Sequence, residues 1–241
     1  MKKYRLTVIP AMGGFRSDHQ PAPIANGSTP HDPLAAARVD RLQVARGWVR
    51  AGGSVVLCGP AGRDMEAALA ETIAAAGQVR VLRVVARQAD RRRPLCGLTH
   101  LLSSVTRTEL DALPAAQGKA LTAAVTAPRN VDGFRPTAFV GRALLSLLEA
   151  FTINEALVLA VANAQWLDPD TTNVLRFAAS RVGGRPVQVV VTEESTASRP
   201  PVGHRLCPPP LLVVWLAAVS QSAAPVRILR LGGSRPGERH S

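Results

Sequence analysis

Apolar residues arrive in short, separated bursts, and their period changes along the chain. From Leu34 to Arg50 the positions Leu34, Val39, Leu42, Val44 and Val49 recur near helical spacing among arginines. That spacing predicts an amphipathic helix, ended by Gly52-Gly53. Ser54-Val55-Val56-Leu57-Cys58 is continuous, β-branched and apolar, the pattern of a strand buried on both faces. Gly59-Pro60-Ala61-Gly62 then turns the chain into an alanine-rich helix from Met65 to Ala76, which Gly77 stops. The alternation continues with strands at Val79–Ala86, Ala156–Val161 and Pro186–Thr192, and with helices at Ala138–Phe151 and Pro169–Arg181. Val226–Leu231 is a candidate fifth strand, and Leu211–Val219 reads as a buried strand or a short helix. Strands and helices in turn predict an α/β protein with three layers, a mainly parallel sheet between helices.

The same pattern divides the chain. Residues 1–38 read as a flexible leader, because Gly13 to Pro33 is rich in Pro, Gly, Ser, Asn and His without periodicity. Residues 39–194 form the expected core. Residues 195–241 read as a Pro/Arg-rich C-terminal segment with a possible last strand. No apolar run reaches the roughly 18 residues that a bilayer requires, so no membrane span is expected. The opening Met1-Lys2-Lys3-Tyr4-Arg5 loosely imitates a signal peptide, but Pro10 interrupts the apolar stretch that follows. Three widely spaced cysteines, Cys58, Cys96 and Cys207, with no Cys-x-x-Cys pair, fit neither a disulfide framework nor a zinc motif. A reducing, cytoplasmic setting is the expectation.

The formal charge of +12 admits an acidic partner, including nucleic acid, or simply an arginine-rich surface. Aromatic residues are only 4% of the chain, which leaves few platforms for stacking bases.

A buried strand, a glycine turn and a helix are the setting of a phosphate-binding P-loop, G-x-x-x-x-G-K-[ST]. Its glycines let backbone N–H groups converge on phosphate, its lysine reaches the outer phosphates, and its hydroxyl holds magnesium. Here the stretch is Gly59-Pro60-Ala61-Gly62-Arg63-Asp64-Met65-Glu66. Gly59 is in place and Gly62 matches a glycine common within the variable part. Asp64 stands at the second required glycine, Met65 at the lysine and Glu66 at the hydroxyl residue. Arg63 is the one cation beside the turn able to grip a phosphate, and otherwise a solvated loop residue.

Further on the chain reads Leu157-Val158-Leu159-Ala160-Val161-Ala162-Asn163-Ala164-Gln165-Trp166-Leu167-Asp168-Pro169. This resembles the Walker B region of the large ATP-binding LuxR-type transcriptional regulators, signal-transducing (STAND) NTPases related to AAA proteins. Their apolar strand is followed by two acidic residues and then A-Q-W-L-D-P. Pro94-Leu95-Cys96-Gly97-Leu98-Thr99-His100-Leu101-Leu102 is similar to their P-F-A-G-L-H-Q-L-L stretch, and Val140-Gly141-Arg142-Ala143-Leu144-Leu145 to the helix before that strand. The resemblance runs from about Val39 to Thr192 in family order. It implies a P-loop NTPase-like fold and a role in transcription regulation.

The departures from the family pattern carry the functional expectation. Where relatives have paired acids, one for the magnesium shell and one to polarise the attacking water, this chain has Ala162 and Asn163. The fourth strand runs into Thr192-Glu193-Glu194 rather than a polar-then-basic pair. The expectation is a pseudoenzyme: degenerate Walker motifs, no catalytic residues, no metal ligands, and no ATP or magnesium held as cofactor. Such a protein acts by protein contact, with an intact LuxR-type regulator as the expected partner. The sequence shows no helix-turn-helix pattern of its own. Weak ATP binding or ATPase activity through Arg63, and a basic nucleic-acid-binding module, are the alternatives. Asp168 before Pro169 has the ordinary reading of a helix N-cap, Trp166 that of a packed anchor, and His100 that of a structural residue among leucines.

Overall fold

A computed structural model describes residues 4–8, 33–60, 63–126, 137–195, 203–208, 211–216 and 226–231. Strand β1 spans Tyr4–Val8. Helix α1 (Pro33–Arg50) ends where Gly52 takes a φ of +86°, beyond the range of most side chains. The indole of Trp48 then folds over Gly53, where any Cβ would lie 2.2 Å from its Nε1, and donates to the Ser54 carbonyl at 3.1 Å. The two glycines therefore set the angle at which the chain enters β2 (Ser54–Gly59), which is buried along its whole length.

Helix α2 (Arg63–Ala74) and strand β3 (Arg80–Val85) follow. Three helices come next, α3 (Cys96–Leu102), α4 (Arg107–Asp111) and α5 (Ala115–Thr126), in a stretch that the apolar pattern had left unassigned. Helix α4 starts with a reciprocal capping box between Thr106 and Glu109, a local signal that needs no long periodicity. Helix α6 (Thr137–Phe151), strand β4 (Leu157–Ala162), helix α7 (Pro169–Ala179) and strand β5 (Val187–Glu194) lie within a few residues of their sequence-based positions.

Strands β6 (Leu211–Trp215) and β7 (Val226–Leu231) complete a seven-stranded sheet in the order β1-β7-β6-β2-β5-β4-β3. The strands from β6 to β3 run parallel, and β7 and β1 add an antiparallel edge. The α/β expectation with a mainly parallel sheet holds, in a P-loop NTPase-like arrangement with β2 between β5 and β6.

Within the segment 195–241, β6 pairs directly with β2, from Ser54↔Leu211 to Cys58↔Trp215. Within residues 1–38, β1 pairs with β7 and α1 begins at Pro33. The proposed leader between residues 9 and 32 lies outside the described residues.

The sheet separates two apolar layers. On one face Ala45 and Val49 of α1 and Met65, Ala68 and Leu69 of α2 pack on Val55, Leu57, Val158, Ala160, Val190, Leu212 and Val214. On the other, Leu98 and Leu101 of α3, Leu121 of α5, Leu144 and Leu147 of α6 and Leu175 of α7 cover Val56, Leu82, Val84, Leu159, Val189 and Val191. Strands apolar on both faces are therefore required by the architecture, and each fully buried leucine contributes about 1.5–3 kcal/mol. No helix among the described residues is long and apolar enough to cross a membrane.

Candidate functional site

In an open parallel sheet, ligands bind beyond the carboxyl ends of the strands, where loops leave the core. Three strand ends meet there: Gly59 on β2, Ala162-Asn163 after β4, and Thr192 to Glu194 on β5. The first is the glycine turn. Ala61, Gly62 and the side chain of Arg63 lie outside the described residues, so the candidate roles of Gly62 and Arg63 rest on sequence. The rest of the turn is defined.

Met65, at the lysine position, is only 5% exposed. It folds back over the end of β2, where a Cβ at Gly59 would lie 2.8 Å from its sulfur and 3.7 Å from Leu216 Cβ. The absence of a Cβ at Gly59 thus lets the chain's own methionine approach closely. Its carbonyl accepts from Ser195 N–H at 3.2 Å, and Leu216 N–H donates to the Cys58 carbonyl at 2.7 Å. These bonds stitch β5 and β6 across the end of β2.

Asp64 and Glu66 lie in the first turn of α2 with exposed side chains. Each has a cationic partner. Arg38 of α1 grips the Asp64 carboxylate and donates to the Asp64 carbonyl at 2.9 Å. Arg83 of β3 donates to Glu66 at 2.9 Å. With side chains 75% and 71% exposed, these carboxylates form surface pairs worth at most about 1 kcal/mol each. Their consequence is positional. Negative charge already occupies the first turn of α2, where the helix dipole would favour an anionic ligand.

At the end of β4, Asn163 adopts a left-handed conformation (φ 58°, ψ 49°), which asparagine tolerates better than most residues. Its N–H donates to Thr192 Oγ1 at 3.2 Å, and its side-chain amide reaches the Ala86 carbonyl at 3.5 Å. Asn163 therefore bridges three strand ends. Gln165 lies beyond it, with Oε1 accepting Glu194 N–H at 3.2 Å and a buried Nε2 that has no partner among the described residues. Glu193 is 1% exposed and accepts Gly203 N–H at 2.7 Å. Burial, with Glu193 nearby as a secondary cause, pushes the Cys58 thiol far up, so it stays protonated and packs as a small apolar group.

The A-Q-W-L-D-P stretch has a structural explanation. The Asp168 side chain, 2% exposed, accepts from Thr171 N–H at 2.8 Å as the cap of α7. It also accepts from Leu95 N–H at 2.9 Å and Gly97 N–H at 3.0 Å, at the start of α3. Thr171 Oγ1 takes the next donor, Leu98 N–H, at 3.0 Å. One carboxylate thus fastens two helix starts, and a Cβ at Gly97 would meet Leu167 at 2.8 Å and Thr171 at 2.9 Å. Two of the three stretches quoted for the resemblance are halves of one joint. Trp166 packs against the core, with the Arg91 guanidinium 5.9 Å from its ring centre.

The arrangement brings Gly59, Met65 and Asn163 to the expected end of the sheet. Sequence patterning missed the arginine partners of Asp64 and Glu66, because ion pairs 26 and 17 residues apart leave no periodic signal. It also missed Asp168 reaching α3, since an N-cap aspartate looks the same whether it serves one helix or two.

No family of known proteins matches the chain, and no curated protein matches it. Among solved structures it is similar to chains of the Drosophila ORC bound to AT-rich DNA and Cdc6, at 13% identity and a TM-score of 0.40. A second is the Drosophila ORC bound to GC-rich DNA and Cdc6, at 13% identity and a TM-score of 0.41. The matches cover 78% and 82% of this chain, which spans 58% and 64% of those chains.

Proposed function

We propose that this protein is a pseudo-NTPase, related to the ATP-binding LuxR-type regulators, that acts through protein contacts. One observation carries the reading: Met65, in place of the phosphate-binding lysine, is buried against Gly59 and Leu216 at the mouth of the cradle. The other losses agree with it. Losing one charge-assisted hydrogen bond of about 1.5–3 kcal/mol weakens a triphosphate roughly tenfold or more. A carboxylate within about 4 Å of a phosphate adds roughly 4 kcal/mol of repulsion in a partly shielded site, which Arg38 and Arg83 offset only in part. Ala162 has no group for a magnesium shell, and Asn163 offers a neutral amide engaged between strands.

Isothermal titration with Mg-ATP tests the reading. The expected result is no heat of binding at millimolar nucleotide, for the unaltered protein and for Arg63→Ala alike. Saturable binding that Arg63→Ala abolishes would establish the weak ATP-binding alternative instead. A pull-down against intact LuxR-type regulators tests the contact role, and no enriched partner counts against it. A gel shift that weakens steeply with salt would favour the basic nucleic-acid module.

A further inference from the structure

A 3₁₀ turn and the helix that follows it bring three potential metal ligands to one place. Asp90 ends a 3₁₀ turn (Gln88–Asp90), and Cys96 and His100 stand one turn apart on α3. Their ligand atoms, one carboxylate oxygen, the sulfur and one imidazole nitrogen, all lie within 4.8 Å of one another.

We propose that Asp90, Cys96 and His100 form a site for a divalent metal ion of the zinc type. The donor set is the first argument. A thiolate, an imidazole and a carboxylate are the ligands zinc takes, whereas calcium and magnesium take oxygen alone. Geometry is the second. Tetrahedral zinc, with bonds of about 2.3 Å to sulfur and 2.0–2.1 Å to nitrogen, places neighbouring donors about 3.5 Å apart. The three ligand atoms, all within 4.8 Å of one another, would close on that spacing as an ion binds.

The surroundings are rigid. Cys96 N–H donates to the Arg93 carbonyl at 3.2 Å and Arg93 N–H to the Asp90 carbonyl at 2.9 Å, so successive turns join the two elements. Asp168 and Thr171 hold the start of α3 from below. Arg93 engages Asp90 Oδ1 at 3.2 Å, and the Cys96 thiol hydrogen-bonds to the same carboxylate, a contact that an ion would replace. Cys96 is buried while Asp90 and His100 are half-buried, so the cluster lies at the edge of the core, where water can complete a tetrahedral set.

Binding replaces the Cys96 S–H bond by a sulfur–metal bond and releases the proton to solvent, with His100 coordinating as the neutral imidazole. The ion ties the exposed Arg91–Arg93 run to α3. This site stands apart from the phosphate chemistry lost at the strand ends, and survives whatever nucleotide titration gives.

Cobalt(II) titration of chelator-treated protein tests it. One equivalent is expected to produce a thiolate-to-cobalt charge-transfer band, which one equivalent of zinc removes. Cys96→Ala is expected to abolish the band, and Cys58→Ala to keep it. His100→Gln and Asp90→Asn, conservative changes at half-buried positions, are expected to weaken cobalt by more than about tenfold, since even a residue behind a ligand costs 10–100-fold. No band in the unaltered protein overturns the proposal. So does a band that survives Cys96→Ala, or an affinity that neither His100→Gln nor Asp90→Asn changes.

Discussion

Asp168 allows a sharp test, because two readings of it differ by several kcal/mol. A helix N-cap alone is worth about 1 kcal/mol. The carboxylate here accepts three buried backbone N–H groups, on Leu95, Gly97 and Thr171, at 2.8 to 3.0 Å. Removing it in Asp168→Ala strands all three, each at about 1–3 kcal/mol. Allowing one donor to recover a water, the expected loss is about 4 kcal/mol, a large share of a stability of about 5–15 kcal/mol. For a domain of this size that lowers Tm by roughly 10 °C.

Asp168→Asn separates the two roles. Asparagine caps a helix as well as aspartate does. It has one acceptor oxygen in place of two, and its NH2 would face a backbone N–H. The expected loss is about 2–3 kcal/mol even though the α7 cap is kept. Urea denaturation with a common m-value measures both variants, with Thr106→Ala as a simple cap control near 1 kcal/mol. If Asp168→Asn stays within about 0.5 kcal/mol of the parent protein, the carboxylate is an ordinary cap and the joint between α3 and α7 is not real.

Met65→Lys is expected to cost about 2 kcal/mol in urea denaturation, since an ammonium must leave a packed apolar position, and to bring no Mg-ATP heat while Asp64 and Glu66 remain. Glu109 is held below its ordinary value of 4.5, first by the Thr106 N–H and then by Arg80 at 2.7 Å. Its stabilisation is therefore complete above pH 4.5 and lost as pH falls through the lowered value, so the Tm gap to Glu109→Gln should close in acid. Cys58, buried with its thiol pushed up, should label with a thiol reagent only as fast as the core opens, and prompt labelling at neutral pH would refute its packing. Gly141→Ala should cost about 1 kcal/mol or more by equilibrium unfolding, because the new Cβ would come within 2.9 Å of the Phe177 ring where α6 crosses α7.

The core strands β2, β4 and β5 were legible because burial on both faces writes itself as an unbroken apolar run. Strand β6 was ambiguous for the same reason reversed. Leu211-Leu212-Val213-Val214-Trp215 is too short for period to separate strand from buried helix, and only its pairing with β2 decides. Helices α3 to α5 carry no long periodic signal, because α3 and α4 are each under two turns and α5 has only Leu121 and Val125 as large apolar residues, with Gly118 inside it. At the site, the residue types at the expected P-loop positions stand in the sequence itself. Where their side chains go could not be read there, because Met65 is buried in a cluster that includes Leu216, far along the chain.

The pairing of β1 with β7 joins Tyr4 to Leu231, residues more than two hundred positions apart. Closing so long a loop costs entropy before any contact returns it, so this edge belongs among the last parts to assemble and the first to fray. Hydrogen exchange should therefore be fastest there and slowest at β2, β4 and β5. While β1 is detached, β7 offers an open row of backbone donors and acceptors, a place where a strand from another molecule has a ready template.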